Sequence, residues 1–218
     1  MNRKVVYTAS CLLVLLLFCL HEIFLNFHPD IRNVRVALKF SMSFIPFVLS
    51  YFGWKNHRNV LGLYVTEGLL LCCIADAVIN LQLIVGIVLY MLGHLCFIVG
   101  FIKIRKPHFI QYVLWIVTAL TISLLLWFVP EKPAQIKIAA IVYTLFMTAM
   151  VSFSYCGSKR IFLGGIIFGL SDILLMISMA LGINDGIFHI FSLGIYYLGV
   201  LMFANRTFVG AEDAIPVI

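Results

Sequence analysis

The chain has 218 residues, 63% of them apolar and 11% charged, with a mean hydropathy of +1.11. Soluble globular domains carry about 25% charged residues, so this chain has too little polar surface to cover a water-soluble particle, and its length suits eight spans of about 20 residues with short loops. The net charge of +6 does not point to nucleic acid, because the basic residues sit in short loops between apolar runs rather than in a stripe with interleaved aromatics; loop Lys and Arg mark the cytoplasmic face of membrane proteins.

Arg3 and Lys4 precede an apolar run from Val5 to Phe27. That run is too long for a signal-peptide core and no small-x-small cleavage site follows it, so it reads as span 1. Apolar runs broken by charge, Pro and Gly predict the other spans over 34–52, 60–80, 83–102, 109–129, 134–155, 161–181 and 187–204. The expected architecture is an all-α, polytopic bundle of about eight transmembrane helices, forming one domain over 1–206 with a short, loose cytoplasmic tail over 207–218. The six cysteines, Cys11, Cys19, Cys72, Cys73, Cys96 and Cys156, fall within spans or near their cytoplasmic ends and indicate no disulfide framework.

Loop charge sets the orientation. One side carries Arg3, Lys4, Lys55, Arg58, Lys103, Arg105, Lys106, Lys159, Arg160 and Arg206, the other Arg32, Arg35, Lys132 and Lys137. Ten against four places both termini in the cytoplasm. A short repeat is also visible: Gly68 precedes Asp76, and Gly164 precedes Asp172, by the same eight residues. Each Asp lies on an odd-numbered span rising toward the outer face, which points to two four-helix halves in the same orientation.

An ionisable side chain inside the bilayer costs several kcal/mol on an insertion scale, so it usually has a partner or a function. The candidates are Glu22, Lys39, Glu67, Asp76, His94, Asp172 and His189. Asp172 is near the middle of span 7, on the same face as the GxxxG pair Gly165 and Gly169, and is expected to point into the bundle. Asp76 follows Gly68 and Cys72 on a small-residue face of span 3 and is shallower. Glu67, nine residues from Asp76, falls on the opposite face. Lys39 lies in span 2 and either snorkels outward or meets a substrate or carboxylate. His94 is deep in span 4, and Tyr143, Tyr196 and Tyr197 are too deep for an interfacial aromatic belt; packing is the alternative for each. Glu22 and His21 are expected to be wet, and His189 interfacial. Two aspartates from different spans suit general acid/base chemistry, one carboxyl donating a proton and one accepting it. Depth assigns Asp172 as the acid and Asp76 as the base. A single deep histidine does not supply a metal site, and no Gly-rich phosphate loop, GxSxG elbow or CxxC is present.

These residues also carry a resemblance. GLLLCCIADAVI (68–79) and GIVLYMLGHLCFI (86–98) resemble the paired Asp and His spans of the YhhN-type lysoplasmalogenase family. YTLFMTAM (143–150), GGIIFGLSDILLMI (164–177) and LGIYYLGVLMF (193–203) resemble its later spans, with Ser171–Asp172 and Tyr196–Tyr197 the most specific matches. Ala75, Phe40, Phe97 and Gly199 depart from the family's usual residues. The resemblance implies hydrolysis of the vinyl ether bond of a lysophospholipid without metal or organic cofactor. Asp76 and Asp172 would be catalytic, and Lys39, His94, Tyr143, Ser171, Tyr196 and Tyr197 would contact substrate. The expected partners are a lysophospholipid and membrane lipids, with no nucleic acid; the oligomeric state is open. A small proton-coupled carrier with intramembrane carboxylates and a metal-dependent membrane amidase are the competing readings.

Overall fold

The structure, a computed structural model, describes residues 2–27, 31–128, 133–181 and 186–209. Among these residues the chain forms eight α-helices and no strands: α1 (Arg3–Phe27), α2 (Arg32–His57), α3 (Val60–Val78), α4 (Leu83–Ile104), α5 (Phe109–Trp127), α6 (Ala134–Ser154), α7 (Lys159–Leu181) and α8 (Gly186–Phe208). All eight are long and apolar enough to cross a membrane. Hydrocarbon offers the backbone no hydrogen-bond partners, so each apolar run must satisfy its own amide groups, and the helix does so within one segment. The chain is an integral, multi-pass membrane protein.

The breaks between helices have local causes. At the α2–α3 corner Arg58 takes a left-handed conformation (φ 50°) and its amide donates to the Trp54 carbonyl. Asn59 then caps α3, its Oδ1 accepting from the Gly62 amide at 2.6 Å.

The packing follows the two-half pattern suggested by the repeat. The closest pairs are α3 with α4 and α7 with α8. Renumbering α1–α4 as α5–α8 also turns α2–α3 into α6–α7, α1–α2 into α5–α6, and α2–α8 into α6–α4, and every one of these contacts is present. Small residues let the helices approach. Gly165 and Gly169 face Ser154, Val151 and Met147 on α6. A Cβ added at Gly93 would lie 3.0 Å from Cys72 Sγ and 3.2 Å from the Gly68 carbonyl, so α4 and α3 touch almost backbone to side chain there.

Two expectations need correction. The tail does not begin at Thr207: α8 continues to Phe208, and Thr207 is buried, donating to Ser50 Oγ at 2.9 Å. Ser50 is in turn bonded to Thr66 on α3 at 2.8 Å, so a hydroxyl cluster ties α2, α3 and α8 together. The backbone of Thr207 lies directly on Gly53, leaving no room for a side chain there, and α2 also runs past the expected end at 52, to His57. His21 is buried rather than wet, and bonds Glu22 Oε1 through Nδ1 at 3.0 Å. Lys132, the turn at 182–185 and the tail from 210 onward lie outside the described residues.

A shared aspartate cavity as the candidate active site

Asp76 is held by three helices. On α3, the Gly68–Cys72–Asp76 face packs inward, with Gly68 against the Phe97 ring of α4. That places the Asp76 carboxyl where α2, α4 and α8 converge. Its Oδ2 accepts from Ser43 of α2 and from Tyr196 of α8 at 3.0 Å, and its Oδ1 accepts from Tyr90 of α4 at 2.5 Å. Three hydroxyl donors around one buried carboxyl group satisfy the polar demand that hydrocarbon would leave open.

Asp172 is held by the other half. The Gly165–Gly169–Asp172 face of α7 lies on α6, as the spacing predicts. Tyr143 of α6 donates to Asp172 Oδ2 at 2.7 Å. Its hydroxyl also lies 3.0 Å from His94 Nε2 of α4, which is 3.6 Å from the same carboxylate oxygen. Phe168 separates the two clusters, with the His94 and Tyr196 rings both edge-on to it at centroid distances of 5.2 and 5.1 Å.

Both aspartates line one cavity of about 230 Å³. Residue counting puts them about 10 Å apart in depth; the cavity runs across that offset. Its walls also include Lys39, Tyr90, Tyr143, Ser171 and Tyr196, and it reaches the end of the bundle where α3 passes into α4. Aliphatic side chains such as Ile79, Ile87, Leu175 and Leu193 make up the rest of the lining. The space is therefore mostly apolar, with two carboxyl groups and two lysines, Lys39 and Lys137, set into it, a form suited to an amphiphile with a reactive bond near its polar end.

The structure sorts the residues singled out in the sequence. Asp76, Asp172, Lys39, Tyr143, Ser171 and Tyr196 come together on the cavity wall. His94 and Tyr197 do not: His94 is fully buried behind Tyr143, and Tyr197 donates to the Lys39 carbonyl at 3.4 Å. Ser171 reaches the cavity, but its hydroxyl bonds the Ser192 carbonyl at 2.8 Å while Ser192 returns a bond to the Ser171 carbonyl at 3.0 Å. This reciprocal clasp locks α7 to α8 beside Asp172. Glu67 is exposed on the far side of α3, as expected from its spacing.

Sequence reasoning missed Tyr90 and Ser43, and His189, expected to be interfacial, instead lines the cavities. Tyr90 lies four residues before His94 and Ser43 four after Lys39, so each shares a helix face with a residue already singled out. His189 lines the main cavity and a smaller one beside it. There its ligand atom lies within 4.8 Å of those of His21 and Glu22, a juxtaposition of α1 and α8 that no local pattern reveals.

No curated protein and no solved structure matches the chain significantly. The YhhN family profile matches residues 34–207, a stretch that begins inside α2, ends inside α8 and contains every residue of both aspartate clusters. By that match the chain belongs to the YhhN family.

Proposed function

We propose that the protein is a membrane-embedded hydrolase that cleaves the vinyl ether bond of lysoplasmalogen-type lysophospholipids, giving a fatty aldehyde and a glycerophospho-base. The observation that carries this reading is that Asp76 and Asp172, from corresponding helices of the two halves, open onto a single apolar cavity. A single-chain lipid places its tail along the aliphatic wall and its glycerol end near Lys39.

The chemistry needs one acid and one base. Asp172, in its protonated form, gives its proton to the outer carbon of the alkenyl double bond, and the inner carbon becomes an oxocarbenium ion. The Asp76 carboxylate, fixed by Ser43, Tyr90 and Tyr196, stabilises that charge and takes a proton from water as the water oxygen bonds to the inner carbon. A hemiacetal results. Asp76 then returns its proton to the glycerol oxygen while Asp172 accepts the hemiacetal hydroxyl proton. The carbon–oxygen bond breaks, aldehyde and glycerol hydroxyl are released, and both carboxyl groups regain their starting states.

The loop charges support placing both termini in the cytoplasm. The cavity end of the bundle, where α3 passes into α4, then faces the opposite side, and substrate enters from the outer leaflet. The test is incubation of the purified protein with a panel of lysolipids. Free aldehyde from the alkenyl substrate, with none from alkyl or acyl analogues, is the expected result; fatty acid release or no product at all would reject it.

A further inference from the structure

Beside the aspartate cavity lies a second one of about 140 Å³, lined by His21, Leu25, Arg35, Val36, Lys39, Asn80 and His189. Lys39 and His189 line both, so the two are neighbours with a common wall. The polar character of the small cavity is basic: one guanidinium, one ammonium, two imidazoles and a side-chain amide. Glu22 of α1, next to His21 in the chain, is engaged with that imidazole through Oε1. Among the described residues, Lys39 makes no ion pair within 4 Å. Arg35, in the first turn of α2, and Lys39, one turn further in, thus bring two fixed positive charges to this wall.

We infer that this cavity is a phosphate subsite: it takes the phosphate of the glycerophospholipid head group while the chain and the scissile ether occupy the aspartate cavity. Arg35 presents a planar fork suited to phosphate oxygens and Lys39 a point charge on the common wall. His21, His189 and Asn80 add hydrogen-bond donors. The spatial order matches the order of groups in a lysophospholipid, with head-group phosphate, glycerol and ether-linked chain in sequence. His21, Glu22 and His189 are also close enough together to hold a cation, but Arg35 and Lys39 on the same walls oppose a divalent ion and favour an anion. The inference rests on the lysophospholipid reading of the larger cavity, and it adds that recognition depends on phosphate.

The test is equilibrium binding to the purified full-length protein in detergent. The ligands are an acyl lysophosphatidylethanolamine, which the proposed reaction does not cleave, and a monoacylglycerol with the same chain and no phosphate. The wild type is expected to bind the phospholipid at least about tenfold more tightly. Arg35→Gln and Lys39→Gln should shrink that preference to below about threefold, Arg35→Lys should retain part of it, and Glu67→Gln, on the exposed face of α3, should leave it unchanged. A wild-type melting temperature in detergent shows that a variant is folded. Equal binding of the two lipids by wild type, or a preference that survives both Gln variants, would overturn the subsite. Competition by inorganic phosphate without any lysophospholipid preference would place a free anion there and overturn the head-group assignment. Zinc binding that His21→Ala abolishes, with no phosphate preference, would show a metal site instead. A phosphate preference without aldehyde release from the alkenyl substrate leaves the subsite standing and rejects the hydrolase reading alone.

Discussion

Tyr196 on α8 donates to Asp76 on α3 across 3.0 Å, joining residues 120 positions apart in the chain. Tyr90 holds the other carboxylate oxygen at 2.5 Å, and the two tyrosine rings meet edge to face at 6.2 Å. The hydroxyls therefore fix the Asp76 carboxylate in orientation as well as satisfying it. A hydrogen bond to a charged group contributes about 1.5–3 kcal/mol, which is about 10- to 100-fold in rate if it is fully used in the transition state. Tyr90→Phe and Tyr196→Phe should each lower turnover by that order and leave the helix content unchanged. Turnover within twofold of wild type in both variants would show that Asp76 needs no fixing.

In the proposed reaction the aspartates themselves should carry the larger effect. Asp76→Asn and Asp172→Asn should each cost about 100-fold or more in turnover and leave a folded bundle. Glu67→Gln, on the exposed side of α3, should stay near wild type. Steady-state aldehyde release by the three variants is the measurement. An essential Glu67 beside a dispensable Asp76 would put the chemistry on the other face of α3.

Much of this arrangement is legible in the sequence, because a hydrocarbon solvent simplifies the reading. The helix limits follow from apolar runs broken by charge and turn residues, and the inward direction of Asp172 follows from Gly165 and Gly169. Thr207 escaped because a helix end beyond the charged Arg206 is stabilised by tertiary bonds to Ser50, and hydropathy does not report those. His94 illustrates a different limit: depth identified it, but only the α4–α6 packing decides that Tyr143 stands between it and the cavity. His21 and His189 meet across α1 and α8, helices far apart in the chain, and their ring centroids lie 6.2 Å apart. Depth alone made both of them surface residues.

Gly199 tests the packing that keeps the two aspartate clusters apart. A Cβ there would lie 3.0 Å from the Phe168 amide nitrogen and 3.1 Å from its Cα. Backbone cannot yield as a flexible side chain does, so Gly199→Ala must push α8 away from α7. Overpacking of this kind costs roughly 1–3 kcal/mol. Phe168 touches both His94 and Tyr196, so the shift should reduce thermal stability in detergent and turnover together. An unchanged melting temperature would mean that α7 and α8 are less closely apposed than described.

The orientation is open to a direct test. Reporter fusions at Ile218 and in the loop at 131–133 should fall on opposite sides of the membrane, with Ile218 cytoplasmic. Same-side results would invalidate the eight-span topology, and a reversed result would move substrate entry to the inner leaflet.

The last prediction concerns the His94–Tyr143–Asp172 chain. Tyr143 has one hydroxyl proton, and it donates that proton to Asp172 Oδ2. The contact of 3.0 Å to His94 Nε2 is then a bond in which the imidazole N–H donates to the tyrosine oxygen. That tautomer leaves Nδ1 bare, in agreement with the absence of any hydrogen-bond partner for His94 Nδ1 among the described residues. In the proposed reaction His94 would thus act through Tyr143 as a positioning residue, with Tyr143 occupying Oδ2 and leaving Oδ1 of Asp172 for the substrate proton. Members of one chain do not contribute independently. Tyr143→Phe should lower turnover by about tenfold, His94→Phe by less, and the double variant by little more than Tyr143→Phe alone. The coupling from a double-mutant cycle should reach about 1 kcal/mol. Additive losses would show that His94 acts by packing against Phe168 and not through the tyrosine hydroxyl.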